Sequence, residues 1–222
     1  MRSPNFGDRR DGLTPELAVI HYTAMESCAA AARALCDPAR AVSAHYLISE
    51  TGAVMALVDE DKRAWHAGAG EWGGRGDVNS RSIGIELANT GATPYAAAQM
   101  DALEVVLRGI MGRWPIRPEG VIAHSDMAPG RKIDPGPRFD WQRLARQGLA
   151  VWPQSHVAQV EAARFVADAR AFGYPEMAAD LLRDTMRLRF RPWARGPLDG
   201  TDCAIMADLA ARFGVDRGAA GA

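Results

Sequence analysis

Read as apolar and polar positions, the chain starts with a polar, irregular stretch, MRSPNFGDRRDG, which ends in the turn-forming pair Asp11-Gly12. This predicts an extended leader over residues 1–14. LAVIHYT (17–23) is a short apolar run rich in β-formers and predicts a buried strand ending near His21. Residues 26–37, mostly alanine and leucine, predict a helix. In SAHYLISETGAVMALVDED (43–61) two strand-like runs flank Glu50-Thr51-Gly52 and predict a β-hairpin. AWHAGAGEWGGRGDVNS (64–80) has no periodicity, is rich in glycine and carries two tryptophans, the pattern of a long functional loop.

RSIGIELAN (81–89) predicts a second buried strand by its β-branched content. Thr93-Pro94 then has the form of an N-cap followed by proline at the first helical position. Apolar residues at three- and four-residue spacing continue that helix to Trp114. VIAHSD (121–126) predicts a third strand ending at a histidine, and FDWQRLARQG (139–148) a short amphipathic helix. After Val151-Trp152-Pro153 the composition shifts to three helix-like segments, 157–172, 176–190 and 201–213. The pattern therefore predicts two units: residues 1–153, an α/β unit, and residues 154–222, a small three-helix unit.

Composition narrows the function classes. The chain has 222 residues, a formal net charge of −1, 48% hydrophobic and 24% charged residues, as in ordinary globular proteins. A near-neutral balance argues against electrostatic binding of nucleic acid or an anionic membrane. No apolar stretch approaches the roughly 20 residues of a bilayer span, and the N-terminus has no apolar core of a signal peptide. Cys28, Cys36 and Cys203 form no disulfide framework and fit reduced thiols in the cytosol.

The chemistry concentrates in VIAHSDMAPGRKIDPGP (121–137). His21 and His124 both end expected strands, and Asp134 lies ten residues past His124, far enough for a loop to fold it back. Two neutral imidazoles and a carboxylate are the ligand set of a catalytic zinc site with an open fourth position. Scattered histidines are also common as ordinary core or loop residues. Glu86 sits inside an otherwise apolar strand, where a carboxylate needs a partner or a task, and general base catalysis is one such task. Its bland reading is a strand residue facing solvent. Lys132 lies two residues before Asp134, on the same side of an extended segment, where it would stabilise an oxyanion. Its bland reading is a solvated surface lysine.

VIHYTA, SAHYLIS, AWHAG, SIGIELAN, IAHSDMAPGRKIDPGP and FDWQRLA occur in this order. Together they closely resemble the zinc-dependent N-acetylmuramoyl-L-alanine amidases of the amidase type 2 family, in their AmpD/AmiD-like branch, over about residues 4–152. The resemblance implies a mixed central β-sheet flanked by helices, as in peptidoglycan-recognition proteins. It also implies hydrolysis of the amide between N-acetylmuramic acid, or its 1,6-anhydro form, and L-alanine. By position, His21, His124 and Asp134 match the zinc ligands, Glu86 the general base and Lys132 the oxyanion-stabilising lysine. In phage-type relatives a cysteine and a tyrosine occupy the positions of Asp134 and Ala44, so the carboxylate branch fits better.

His66, in AWHAG, matches a recurrent family position near the cleft and is expected to contact substrate or support a ligand. Trp72 and Asn79, in the Gly-rich loop, are candidate substrate contacts. For Trp72 this means stacking on a sugar face, the other reading being a cap on the core. His45 is expected to pack or hydrogen-bond internally, and His156 has no assigned chemistry. The pieces FGYP, LRFRPW and PLDGTDCAIMADLAARF resemble three-helix peptidoglycan-binding domains, against the alternative of a stabilising cap. The expected partners are muropeptides, and the expected role is cell-wall recycling in the cytoplasm. The rivals are an exported amidase acting on intact wall and a non-catalytic recognition protein.

Overall fold

The strand β2 (Leu17–Tyr22) is the organising element of the molecule. The computed structural model describes residues 1–154 and 157–215. β2 lies between β6 (Ser82–Leu87) and β7 (Val121–Ala123), parallel to both. β3 (Tyr46–Ile48) adds to β6 in parallel, and β4 (Val54–Ala56) closes that edge antiparallel, giving a five-stranded mixed sheet in the order β4-β3-β6-β2-β7. The β3–β4 pair, with Ile48 opposite Val54, is the expected hairpin.

Period-2 alternation divides the residues between two faces. Ala18 and Ile20 of β2, with Ile83, Ile85 and Leu87 of β6, form one core with α3 (Ala97–Arg113) and α5 (Trp141–Arg146). The opposite face carries Leu17, Val19 and His21 of β2 and, in register with Leu17, Val19 and His21, Ser82, Gly84 and Glu86 of β6. Here α1 (Cys28–Leu35), N-capped by Ser27, packs Ala31, Ala32 and Leu35 against Leu47 and Leu57. Towards the strand beginnings, the same face is covered by α6 (Ala162–Phe172), α7 (Ala179–Phe190) and α8 (Gly200–Phe213), whose Phe165, Phe172 and Leu182 share a core with Leu17, Val19 and Ile122. The carboxyl ends of β2, β6 and β7 are left open on that face, the usual place for a ligand in an α/β sheet.

Three expectations need correction. The leader is not merely extended. β1 (Phe6–Asp8) pairs antiparallel with β5 (Lys62–Ala64) in a separate two-stranded sheet, and Arg9 donates to the carbonyls of Glu60, Ser80 and Ser82, so the stretch is tied to the turn after β4 and to the start of β6. Thr93-Pro94 does not cap α3, which starts at Ala97 behind Ala96. Instead the Asn89 side-chain amide donates to the carbonyls of Thr93 and Pro94 and holds them in the turn before the helix. VIAHSD is a strand only to Ala123. There the Asp126 carboxylate accepts the Ala123 N–H and starts α4 (His124–Met127), a single helical turn with His124 as its first residue. His156 lies outside the described residues.

Candidate metal centre

His21 and Glu86 face each other across neighbouring parallel strands because β2 and β6 pair residue for residue, Leu17 with Ser82 and His21 with Glu86. β7 flanks β2 on its other side and delivers His124 one residue past its end. The loop after α4 returns Asp134, whose backbone carbonyl accepts the Ser125 N–H. The result is a triangle of buried atoms: His21 Nδ1 to His124 Nδ1 2.9 Å, His21 Nδ1 to Asp134 Oδ2 3.0 Å and His124 Nδ1 to Asp134 Oδ2 2.9 Å.

The outer hydrogen bonds assign the tautomers. Ser82 Oγ donates to the Val78 carbonyl, in the helical turn α2 (Val78–Arg81), and therefore accepts from His66 Nε2 at 3.2 Å. His66 Nδ1 is then an acceptor and takes the His21 Nε2 proton at 3.0 Å. His124 Nε2 donates to the Ala67 carbonyl at 3.0 Å. Both Nδ1 lone pairs and a carboxylate oxygen thus converge on one point, a donor set that suits a divalent cation. Burial holds the His21 pKa down at about 4, with His124 adding to the effect and Asp134 opposing it, so the imidazole is neutral near pH 7, as a ligand must be. These residues form a group able to hold a metal ion.

Glu86, paired with His21 across the strands, lines the same cavity as this triangle. Its Oε2 is buried and has no hydrogen-bond partner among the described residues. Burial first, and then the nearby Asp134 charge, raise its pKa to about 8 against the opposing pull of Lys132. The half-buried Lys132 forms no side-chain hydrogen bond or ion pair among the described residues, and its amino group is free for a ligand. His21, His66, Glu86, His124, Lys132 and Asp134 all line one cavity of about 540 Å³, a volume suited to a small ligand.

His66 stands where the sequence placed it, at the cleft, but its ring nitrogens are committed to His21 and Ser82. The ring lies over Gly84, where an added Cβ would come within 2.4 Å of His66 Cγ. His45 hydrogen-bonds internally, accepting the Gly84 N–H at Nδ1 and donating from Nε2 to the Lys62 carbonyl.

Trp72 and Asn79 do not reach the cavity. Trp72 is 2% exposed, edge-on to Phe172 and Tyr174, and so is a core residue with no free face for a sugar. The Asn79 side-chain Oδ1 accepts the N–H groups of His66 and Ala67, which shapes the loop carrying His66. Sequence reasoning missed Tyr22, Trp65 and Arg131 as lining residues. Arg131 adjoins Lys132 in the motif, and its guanidinium ties the 67–69 loop by donating to the carbonyls of Ala67 and Ala69.

Comparison with known proteins agrees with this geometry. The Amidase_2 family, N-acetylmuramoyl-L-alanine amidase, matches residues 11–137, more than half of the 222. The N-acetylmuramoyl-L-alanine amidase AmiD of Escherichia coli is 35% identical over 217 residues, covering 90% of this chain and 67% of AmiD. The 1,6-anhydro-N-acetylmuramyl-L-alanine amidase AmpD of Escherichia coli is 37% identical over 159 residues, covering 64% of this chain and 87% of AmpD. The structure of E. coli AmiD with the substrate anhydro-N-acetylmuramic acid-L-Ala-D-γ-Glu-L-Lys superimposes with a TM-score of 0.82 at 32% identity, over 95% of this chain and 98% of that one. AmpDh3 of Pseudomonas aeruginosa in complex with anhydromuramic pentapeptide also gives 0.82, at 30% identity over 97% and 96%. The open strand ends, the histidine–carboxylate triangle and these likenesses agree, and the chain belongs to the N-acetylmuramoyl-L-alanine amidases of the amidase type 2 family.

Proposed function

We propose that the protein is a zinc amidase that cleaves the bond between N-acetylmuramic acid, or its 1,6-anhydro form, and the L-alanine of a stem peptide. The observation carrying this reading is the triangle of two Nδ1 lone pairs and Asp134 Oδ2, in one cavity with Glu86, whose Oε2 is unpartnered. His21, His124 and Asp134 would hold the zinc ion, which when bound supplies Lewis-acid polarisation and lowers the pKa of water.

The chain's own groups divide the remaining work. Glu86 Oε2, with no competing hydrogen bond, takes the proton of the attacking water and returns it to the leaving nitrogen of L-alanine. Lys132 donates to the oxygen on which negative charge develops. His66, held by Ser82, fixes the His21 ring.

For domain organisation we take residues 1–153 as the catalytic unit and 154–222 as a helical unit built onto it. The AmpD match supports this division, because it takes in most of that protein and only 64% of this chain. Recycling of soluble muropeptides in the cytoplasm is the proposed role, supported by three free thiols. No helix among the described residues is long and apolar enough to cross a membrane. Action on intact wall is the second reading, favoured by the match to AmiD across 90% of this chain.

Mass spectrometry of products from anhydro-N-acetylmuramyl tripeptide and from purified sacculi, with zinc-loaded and chelator-treated protein, tests all of this. Chelator-sensitive release of tripeptide from the soluble fragment alone is the expected result. Release from both substrates establishes the second reading, and release from neither removes the hydrolase.

A further inference from the structure

The deepest ion pair among the described residues joins the helical unit to the turn that carries His124. Asp126, on α4, is 0% exposed and Arg189, on α7, is 2% exposed, and Arg189 Nη1 donates to Asp126 Oδ2 at 2.6 Å. The same oxygen accepts the Ala123 N–H at 2.9 Å. The other carboxylate oxygen, Oδ1, accepts the hydroxyl of Tyr174, also from the helical unit, at 2.8 Å. Arg189 Nη2 donates to the Val121 carbonyl at 3.1 Å, and the guanidinium lies 4.2 Å from the centroid of the Trp141 ring. Arg189 thus touches β7, α4 and α5 at once, and β7 is an edge strand.

A one-turn helix has little stability of its own, since the first turn fixes several residues for one hydrogen bond. α4 starts with His124 and ends three residues later, at Met127. Besides the Ser125 N–H and His124 Nε2 bonds, the Asp126 carboxylate holds its orientation, and three groups bind that carboxylate, two of them from the helical unit. A desolvated charge pair tolerates few alternative geometries, because loss of alignment leaves both charges buried and unpaired. Such a clamp, two residues from a ligand, fixes the angle at which His124 Nδ1 meets the triangle.

We propose that the C-terminal helices form part of the metal centre's support, with Arg189 and Tyr174 acting through Asp126 as positioning residues for His124. The inference rests on the zinc reading above. On this account the tail does more than cover the sheet. Its α7 sets ligand geometry, and it cannot be exchanged for another apolar cap without cost to metal binding.

The test measures zinc affinity of the full chain by competition with a chromogenic chelator. Thermal melting of the apo-protein and steady-state kinetics on anhydro-N-acetylmuramyl tripeptide accompany it. Arg189→Met keeps most of the apolar stem and removes the guanidinium and its charge. It should weaken zinc binding roughly ten- to a hundredfold, the range for removing a partner that orients a ligand. It should also lower kcat while KM stays within about twofold, because the substrate-lining side chains are untouched. Tyr174→Phe, which removes one hydrogen bond and little volume, should shift zinc affinity in the same direction by less.

Arg189→Lys keeps the charge but not the fork, and should recover part of the loss. A folded Arg189→Met protein with wild-type zinc affinity and kcat overturns the proposal. If that variant does not fold, unchanged zinc affinity in folded Tyr174→Phe overturns it instead. A wild-type protein that binds zinc but cleaves no muropeptide sinks the hydrolase reading and leaves the affinity comparison, hence the clamp, standing on its own result.

Discussion

Glu86 keeps a carboxyl oxygen without a partner in a buried site, which a protein tolerates when a reacting group is to occupy it. Replacing it with glutamine keeps the shape and removes the base. Glu86→Gln should retain zinc, measured by elemental analysis, while kcat falls by roughly 10²–10⁴-fold. Wild-type turnover by the zinc-loaded variant would end the assignment. His66 makes a different prediction, because its nitrogens are used up in orienting His21. His66→Ala should weaken zinc affinity by roughly ten- to a hundredfold, and an unchanged affinity would mean that Ser82 and Gly84 matter only for packing. At this scale the sequence was legible in which residues come together: the motif residues His21, Glu86, His124, Lys132 and Asp134 all line one cavity. It named Trp72 and Asn79 as candidate substrate contacts, yet neither lines that cavity, since an aromatic or amide in a Gly-rich loop looks the same whether it turns toward a sugar or toward the core.

Elements add constraints that no single side chain shows. Gly84 is a strand residue whose missing Cβ lets the His66 ring lie on the sheet. Gly84→Ala should lose roughly 1–3 kcal/mol in urea unfolding through overpacking and should lose zinc affinity as well. Stability loss without an affinity change would show that the ring can shift harmlessly. Glu60 ties the turn after β4 to the end of α3, accepting from Tyr46, from Arg113 and from the Trp114 indole. Burial raises its pKa, but the hydrogen bonds from Arg113, Tyr46 and Trp114 outweigh it and leave the group at about 2, below the usual 4.5. A carboxyl depressed on folding stabilises the native state above its unfolded pKa, and this stability disappears as pH falls from 4.5 through about 2. The stability gap between wild type and Glu60→Gln should therefore be constant above pH 4.5 and close toward pH 2. A gap independent of pH would assign the effect to packing.

Strand and helix order was also readable, because the apolar, β-former-rich runs LAVIHYT and SIGIEL and the three- and four-residue spacing after Ala96 are local signals. β1, the start of α3 and the one-turn α4 were not readable. Each is set by a partner distant in sequence or by a side chain acting on the backbone: β5 for β1, Asn89 for the turn before α3 and Asp126 for α4.

For the whole molecule, the composition shifts after Pro153, where the proposed division falls, but the core runs across it. Leu17, Val19 and Ile122 share a cluster with Phe165, Phe172 and Leu182. A chain cut after residue 153 should expose that apolar face and aggregate, or melt well below the full chain by calorimetry. A soluble truncation with the full-length melting temperature would show that the helices are dispensable for stability.

The triangle also has a consequence in time. His21 and His124 are separated by 103 positions in the chain, and His21 and Asp134 by 113. They meet only once β7 has docked beside β2 to complete the parallel pairing, a slow, non-local event among folding steps. Ion capture during refolding should therefore track the last sheet contacts and lag behind helix formation seen by circular dichroism. In a newly made chain, the moment of metal uptake would mark the end of folding.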